Sequence, residues 1–329
     1  MIVYDMIIKR VNPGGGIDVL FDALIKNCQA SELDIFCIFG EEKKRSFSRY
    51  LDVKCPLQGI FHSTYYRLPQ ERKKFDVVTT VHDFTYEKYS SGLKRFVHTS
   101  QKSRAIEKSD KVICVSNNTK LDLIGYFPDI DEDSISVVYN GVSDFYYPMK
   151  GGGAENDFIL YVGGRSGYKN FISLVLALAE SLSYSLVCVG GGGFSKAEIE
   201  FMNRYIPLRY RHAGYVSEYD LNYLYNTAHC LVYPSLYEGF GIPVVESFKA
   251  GCPVVATESS SITEIAAGAA FLTKNASAEE LLSGILAFEN SKYRSFMISE
   301  GLKIADRFSW ETCFQKTLEV YKSCSRWAE

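Results

Sequence analysis

Short apolar runs, each closed by a polar or glycine-bearing turn and followed by a helical pattern, recur along the chain in two separate series. The first has strand-like runs at 4–8, 33–39, 76–81, 111–115 and 136–139, with a helix at 17–27 after the first. The second has runs at 158–162, 185–189, 230–233 and 253–257, a helix at 243–250, and mostly helical sequence from Glu279. Strands that alternate with helices pair in parallel and form doubly wound sheets. Between the two series, 147–156 contains Pro148 and Gly151-Gly152-Gly153 and reads as a flexible linker. A length of 329 residues suits two such domains.

Several classes of function are excluded early. With 36 Lys+Arg against 39 Asp+Glu the net charge is -3, which argues against a general nucleic-acid binder and against a disordered tail protein. No run of about 20 apolar residues is present, so no bilayer-spanning helix is expected. Met1 to Ile8 goes straight into strand-like sequence without a basic start or cleavage site, so no signal peptide is expected. The nine cysteines form no CxxC pair, and Cys114 and Cys188 fall inside apolar strand patterns. They read as reduced core thiols of a cytoplasmic protein, with no metal site.

The string Tyr233-Pro-Ser-Leu-Tyr-Glu238-Gly-Phe-Gly241-Ile-Pro243-Val-Val-Glu246 carries the most chemistry. A strand stops at Pro234-Ser235, a loop with two glycines follows, and Pro243 stands where a first helical turn accepts it. Glu238 is thereby placed at the carboxyl end of a strand and Glu246 about one turn into a helix; ligands of open α/β sheets bind at such strand ends. Glycines let the backbone approach a ligand, and a helix N-terminus favours phosphate. A carboxylate accepts hydrogen bonds from vicinal hydroxyls. Carboxylates beside a phosphate-favouring helix end therefore match a nucleotide-sugar.

This string resembles the E-x7-E signature of the retaining family 4 glycosyltransferases, the group 1 superfamily with the GT-B fold. The likeness extends to Tyr161-Val-Gly-Gly-Arg165-Ser-Gly-Tyr-Lys169-Asn170, to Gly14-Gly15-Gly16, to Val81-His82-Asp83, to Val115-Ser116 and to Val138-Tyr-Asn140-Gly141-Val142, in the family's order along nearly the whole chain. The resemblance implies two facing Rossmann-like domains with an interdomain cleft. Residues 1–148 would form the acceptor side and 149–308 the donor side, with a helix at about 309–329 crossing back, Ser309 as its N-cap and Trp310 in the core. Hinges are expected near 150 and 308. Arg165 and Lys169 would neutralise the leaving diphosphate, although their spacing of four is one shorter than in many members. Glu246 would bind the ribose, and Glu238 would contact the transferred sugar. Gly239, Phe240, Gly241 and Ile242 would offer backbone contacts, Gly15 and Gly16 would approach the diphosphate, and Tyr215-Val216 would line the base. His82 would stand near the transferred sugar, and Asp83 would orient His82 or the acceptor. No cofactor and no metal are implied, since no DxD-like pair lies in a matching loop.

Three other readings stay open at this stage. Gly190-Gly-Gly-Gly-Phe-Ser195 partly mimics a dinucleotide turn, but Ser195 replaces its last glycine and no acidic strand end follows at the right distance. A nucleotide-sugar epimerase shares the architecture and would act on donor without acceptor. A non-catalytic relative would lack some of the donor residues, all of which are present. The His82-Asp83 ending and the compact loop around Arg165 resemble mannosyltransferase-like members that build bacterial surface polysaccharide. That likeness implies a GDP-sugar donor ahead of a UDP-sugar, and a lipid-linked or growing glycan acceptor of the lipopolysaccharide or capsule type. From Lys43 to Lys120 there are 17 Lys+Arg and 7 Asp+Glu, an excess suited either to solvated helix faces or to peripheral attachment at the anionic cytoplasmic face of a membrane.

Overall fold

The computed structural model describes residues 1–39, 49–150 and 157–327. Positions 43–48 of the basic stretch and the glycines of the expected linker lie outside them. The chain divides into two compact units, one made of Met1–Gly141 with Trp310–Glu329 and the other of Val142–Ser309. The first division therefore falls before the expected 148, and each unit has its own sheet and core.

In unit 1 the order is β1 (Ile2–Asp5), α1 (Ile8–Val11), α2 (Gly16–Ala30), β2 (Ile35–Ile38), β3 (Gly59–Ser63), β4 (Phe75–Val81), α3 (Thr85–Tyr89), α4 (Gly92–Glu107), β5 (Lys111–Cys114), α5 (Asn117–Tyr126) and β6 (Ile135–Val137). The six strands are all parallel, in the order β2-β1-β3-β4-β5-β6. The sequence pattern overlooked β3, whose Gly-Ile-Phe-His-Ser breaks the apolar run with two polar residues that are both buried. Gly59 opens it at φ 129°, where a Cβ would stand 2.4 Å from the Met1 carbonyl oxygen, so only glycine fits between the strands.

Unit 2 runs β7 (Phe158–Val162), α6 (Phe171–Ala179), β8 (Ser185–Val189), α7 (Lys196–Tyr205), β9 (Tyr210–Gly214), α8 (Glu218–Thr227), β10 (Cys230–Tyr233), α9 (Ile242–Lys249), β11 (Val254–Thr257), α10 (Ser260–Ala266), β12 (Phe271–Thr273), α11 (Ala278–Ala287) and α12 (Ser291–Ala305). Its parallel sheet has the order β12-β11-β10-β7-β8-β9. The direction of winding reverses between β7 and β10, and that switch point is where an open α/β sheet leaves a crevice for ligand. One apolar core, with Ile159, Leu174, Leu186, Val232, Val255 and Ile285 among its fully buried members, holds sheet and helices together.

The last helix, α13 (Trp310–Lys322), packs into the core of unit 1 through Phe314, Leu318 and Tyr321, with Trp310 half-buried beside them. Each such burial stabilises by roughly 1.5–3 kcal/mol. A buried polar chain fixes its register: the Tyr321 hydroxyl meets Tyr4 Oη at 3.0 Å and His62 Nδ1 at 2.6 Å, and His62 Nε2 meets Thr80 Oγ1 at 2.8 Å. Burial pushes His62 down to about 3, which keeps the imidazole neutral inside this chain.

Candidate functional site

The two loops that leave the switch point of unit 2 are tied to each other. Leu236 N donates to Tyr168 O at 2.8 Å, joining the loop after β10 to the loop after β7. Across that junction Lys169 Nζ meets Glu238 Oε1 at 2.5 Å. The Tyr233 hydroxyl bonds the same carboxylate, and the Lys169 ammonium stands 5.2 Å from the Tyr168 ring centre and 5.6 Å from that of Tyr233. Both charged side chains are mostly but not wholly shielded, so a cation and an acid stand paired at the strand ends with part of each open to solvent.

Sequence reasoning missed what shapes the Glu238 loop. Three consecutive serines at the start of α10 clamp it: Ser259 Oγ donates to Ser235 O, Ser260 Oγ accepts from Glu238 N at 2.8 Å, and Ser261 Oγ reaches the carbonyls of Glu238 and Phe240 at 2.9 Å. A serine run just after a strand is an ordinary helix-start signal, and nothing in it names a loop more than twenty positions earlier. Gly241 then turns the chain at φ 104°, where a Cβ would lie 2.5 Å from Ile262 Cδ1, and Ile242 opens α9 with Pro243 in its first turn. Gly239 and Phe240 lie in the same loop.

Glu246 lies within α9. The Tyr225 hydroxyl donates to its Oε2 at 2.9 Å, and Tyr146 bonds the same carboxyl group. Burial raises its pKa to about 7, with Glu218 adding to the rise and the two tyrosines opposing it.

Arg165 turns elsewhere. Its side chain is buried; Nε donates to Glu198 Oε1 at 2.8 Å, and the terminal nitrogens donate to the carbonyls of Gly190, Gly192 and Gly193 at 3.3, 2.8 and 2.9 Å. The guanidinium also stands 4.9 Å from the Phe194 ring centre. It therefore holds a loop in which Gly190, Gly191 and Gly192 all have φ near +70°. A Cβ on Gly191 would meet Gly163 O at 2.4 Å, so this turn lies flat against the loop after β7. His212 braces it as well, its Nε2 meeting Gly190 O at 3.0 Å while Nδ1 accepts from Gly214 N. Tyr215 follows with 87% of its surface exposed, and Val216 is half-buried.

Unit 1 has its own strand-end group. His82 follows β4, and its buried Nε2 has no hydrogen-bond partner among the described residues. Burial lowers it to about 4, Lys102 adding to the fall and Asp83 opposing it. Asp83 Oδ1 accepts from Thr85 N at 2.8 Å and starts α3, while its carbonyl accepts from the buried Lys102 ammonium, which also pairs with Glu87 at 2.8 Å. Gly15 is the N-cap of α2 and Gly16 its first residue. Gly14 N donates to Asp18 Oδ2 at 2.8 Å, and Lys9 Nζ backs Asp18 at 2.9 Å. An acid of the chain itself thus occupies part of this helix start. A Cβ on Gly15 would fall 2.1 Å from Asn12 Nδ2, so any larger residue there would have to displace the Asn12 side chain.

Two family descriptions match the chain: "Glycosyl transferases group 1" over residues 150–303 and "Glycosyltransferase Family 4" over residues 56–144. O-antigen chain mannosyltransferase B of Escherichia coli is 29% identical over 80% of this chain and 74% of that protein. O-antigen chain mannosyltransferase RfbU of Salmonella typhimurium is 28% identical over 63% of this chain and 58% of that one, so the chain spans less than two thirds of its length. Among solved structures, the sucrose-phosphate synthase of Thermosynechococcus elongatus superposes with a TM-score of 0.79 at 17% identity, covering 98% of each chain, which shows a shared fold.

Proposed function

The chain belongs to the group 1 glycosyltransferases of family 4, with the GT-B fold, and from that premise we propose that it is a retaining hexosyltransferase. In this reading it moves a sugar, mannose first, from a nucleotide-diphosphate sugar to a lipid-linked or growing glycan of the O-antigen, lipopolysaccharide or capsule type. A GDP-sugar is favoured over a UDP-sugar; support comes from the mannosyltransferase names of the two relatives. The carrying observation is the Lys169–Glu238 pair at the switch point, beside the start of α9.

The chemistry follows from that placement. The anomeric carbon–oxygen bond to the diphosphate breaks as an acceptor hydroxyl attacks on the same face, and the hydroxyl proton passes to the departing phosphate oxygen. Such a route needs a stabilised leaving group and good positioning more than a protein nucleophile. Donor binding draws the Lys169 ammonium onto the diphosphate, and the Glu238 carboxylate then accepts from sugar hydroxyls. The α9 start, with Gly239 to Ile242, contributes its dipole to the diphosphate. Arg165 serves through the glycine loop that it clasps, because four of its five N–H donors are engaged there and with Glu198. Tyr215 and Val216 line the base, Glu246 accepts from the ribose, Gly15 and Gly16 approach the diphosphate, and His82 Nε2 meets a hydroxyl of the transferred sugar with Asp83 holding the turn behind it. No metal takes part in this reading, since Lys169 and the helix terminus do that work.

Attachment to the inner face of the cytoplasmic membrane belongs to the same reading. Leu93 and Phe96 on α4 are 77% and 69% exposed, with Arg95 between them. Much of the surrounding basic excess is already paired, as in Lys88–Asp122, Arg104–Asp52 and Arg72–Asp110, so apolar contact shares the work with charge. Binding to anionic vesicles at low salt tests this part, and absence of binding removes it. The main test is nucleotide release across GDP- and UDP-sugars with and without glycan acceptors. Acceptor-stimulated release from one donor is expected, and epimerisation of donor alone would replace this reading.

A further inference from the structure

Glu246 is held by side chains distant from it in the sequence. Tyr225, on α8, and Tyr146, in the segment that leads into β7, both bond its carboxyl group, and their rings pack edge to face with centres 5.8 Å apart at 77°. The segment around Tyr146 is itself fastened down. Tyr147 N donates to Asn222 Oδ1 at 3.1 Å, Met149 N donates to Asn226 Oδ1 at 2.7 Å, and Asn226 Nδ2 returns to Tyr147 O at 3.0 Å. Lys249, one helical turn beyond Glu246 on α9, pairs with Asp144 at 2.5 Å. One face of α9 thus grips the segment twice, at Lys249 and at Glu246.

A carboxylate offers about four acceptor positions. Two tyrosine hydroxyls take two of them and leave a matched pair for two vicinal hydroxyls. We propose that Tyr146 and Tyr225 are positioning residues that fix the Glu246 carboxylate for the pentose hydroxyls of the nucleotide, so that the segment 142–149 is a working part of the nucleotide site. The proposal rests on the reading of Glu246 as the pentose acceptor. A purely structural pair of tyrosines would satisfy a buried acid and weaken every ligand equally when removed. Positioning tyrosines act on ligands that carry the pentose hydroxyls and on no others.

The experiment measures calorimetric Kd values for GDP and UDP and for their 2′,3′-dideoxy forms, with the wild type and with Tyr146→Phe, Tyr225→Phe and the double variant. The wild type should prefer the better-bound ribonucleotide over its dideoxy form by about tenfold or more, the value of hydrogen bonds to a charged acceptor. Each Tyr→Phe change should cut that preference by about fivefold while dideoxy affinity stays within about twofold. Because the preference is a ratio within one protein, general loss of folded material cancels. Variants that keep the full preference, or that lose ribo and dideoxy affinity alike, overturn the positioning role while leaving Glu246 as the pentose acceptor. A wild type that binds both forms equally overturns the pentose reading of Glu246 and the present proposal with it.

Discussion

The carboxyl ends of the two sheets are furnished in opposite ways. At the switch point of unit 2 the polar groups already answer one another: Lys169 holds Glu238, two tyrosines hold Glu246, and Arg165 clasps a glycine loop. In unit 1 the strand-end histidine has a buried nitrogen with no partner among the described residues, and the start of α2 is partly filled by Asp18. Preformed pairs suit a ligand that exchanges partners with them, as a diphosphate does when it displaces a carboxylate from a lysine. A single orphaned nitrogen suits one directional bond to a hydroxyl. Unit 1 has charges of its own, Lys102 with Glu87 and Lys9 with Asp18, so in the proposed reading the contrast is one of exchangeable pairs in unit 2 against an unfilled hydrogen-bonding position at His82 in unit 1.

That contrast can be broken, and the largest break should come at Lys169. Lys169→Ala is expected to lower turnover on the order of 100-fold, comparable to loss of an oxyanion donor, in a nucleotide-release assay. Near-normal turnover would show that charge is handled elsewhere. His82→Phe should lower kcat by about tenfold and leave the donor KM nearly unchanged, as befits one lost hydrogen bond to the reacting sugar. A large rise in donor KM instead would move His82 into donor binding. Arg165→Ala should act through the loop it holds, raising the nucleotide Kd by about fivefold and lowering the melting temperature together. Loss of turnover equal to that of Lys169→Ala would place its guanidinium on the diphosphate after all.

The smallest effect is a pH dependence that sharpens the comparison. Glu246 has a folded pKa of about 7 against an ordinary 4.5, so between those values the unfolded chain releases a proton that the folded chain keeps. Stability should therefore fall as pH rises from 4.5 to about 7 and level off above, and Glu246→Gln should flatten that slope in denaturation curves. His82, lowered to about 4 from 6.5, has the opposite sign: its contribution is complete above 6.5 and is lost as pH falls toward 4. His82→Phe should leave the Glu246 slope intact. A variant of one residue that alters the slope of the other would show the two groups to be coupled.

The sequence announced the sheets because strand-end turns and helix starts are local events. Gly241 with Pro243, Asn117 after Ser116, and the alternation of apolar runs are each read within a few positions, and they yield most strands within two residues. It hid β3 and β12: the first mixes His62 and Ser63 into a buried strand, and the second has three residues. In the candidate site, Glu238 was legible as an acid at a strand end and Lys169 as a base in the loop after another strand, while the adjacency of those strands was not. The direction of Arg165 was not, since spacing along a loop fixes where a side chain starts and not where it turns. Tyr146 and the three serines at 259–261 escaped for a related reason: their partners are set by packing, and a tyrosine near a chain crossing or a serine at a helix start has a common local explanation.

The buried chain from Tyr4 through Tyr321 and His62 to Thr80 carries a consequence for the order of synthesis. The strands of unit 1 leave the ribosome first, yet the helix that closes over Tyr4 and His62 is translated after all of unit 2. Until then the first-made sheet has α2 but not α13 over that core, so unit 2, though later to emerge, is the part of the nascent chain able to finish folding earlier.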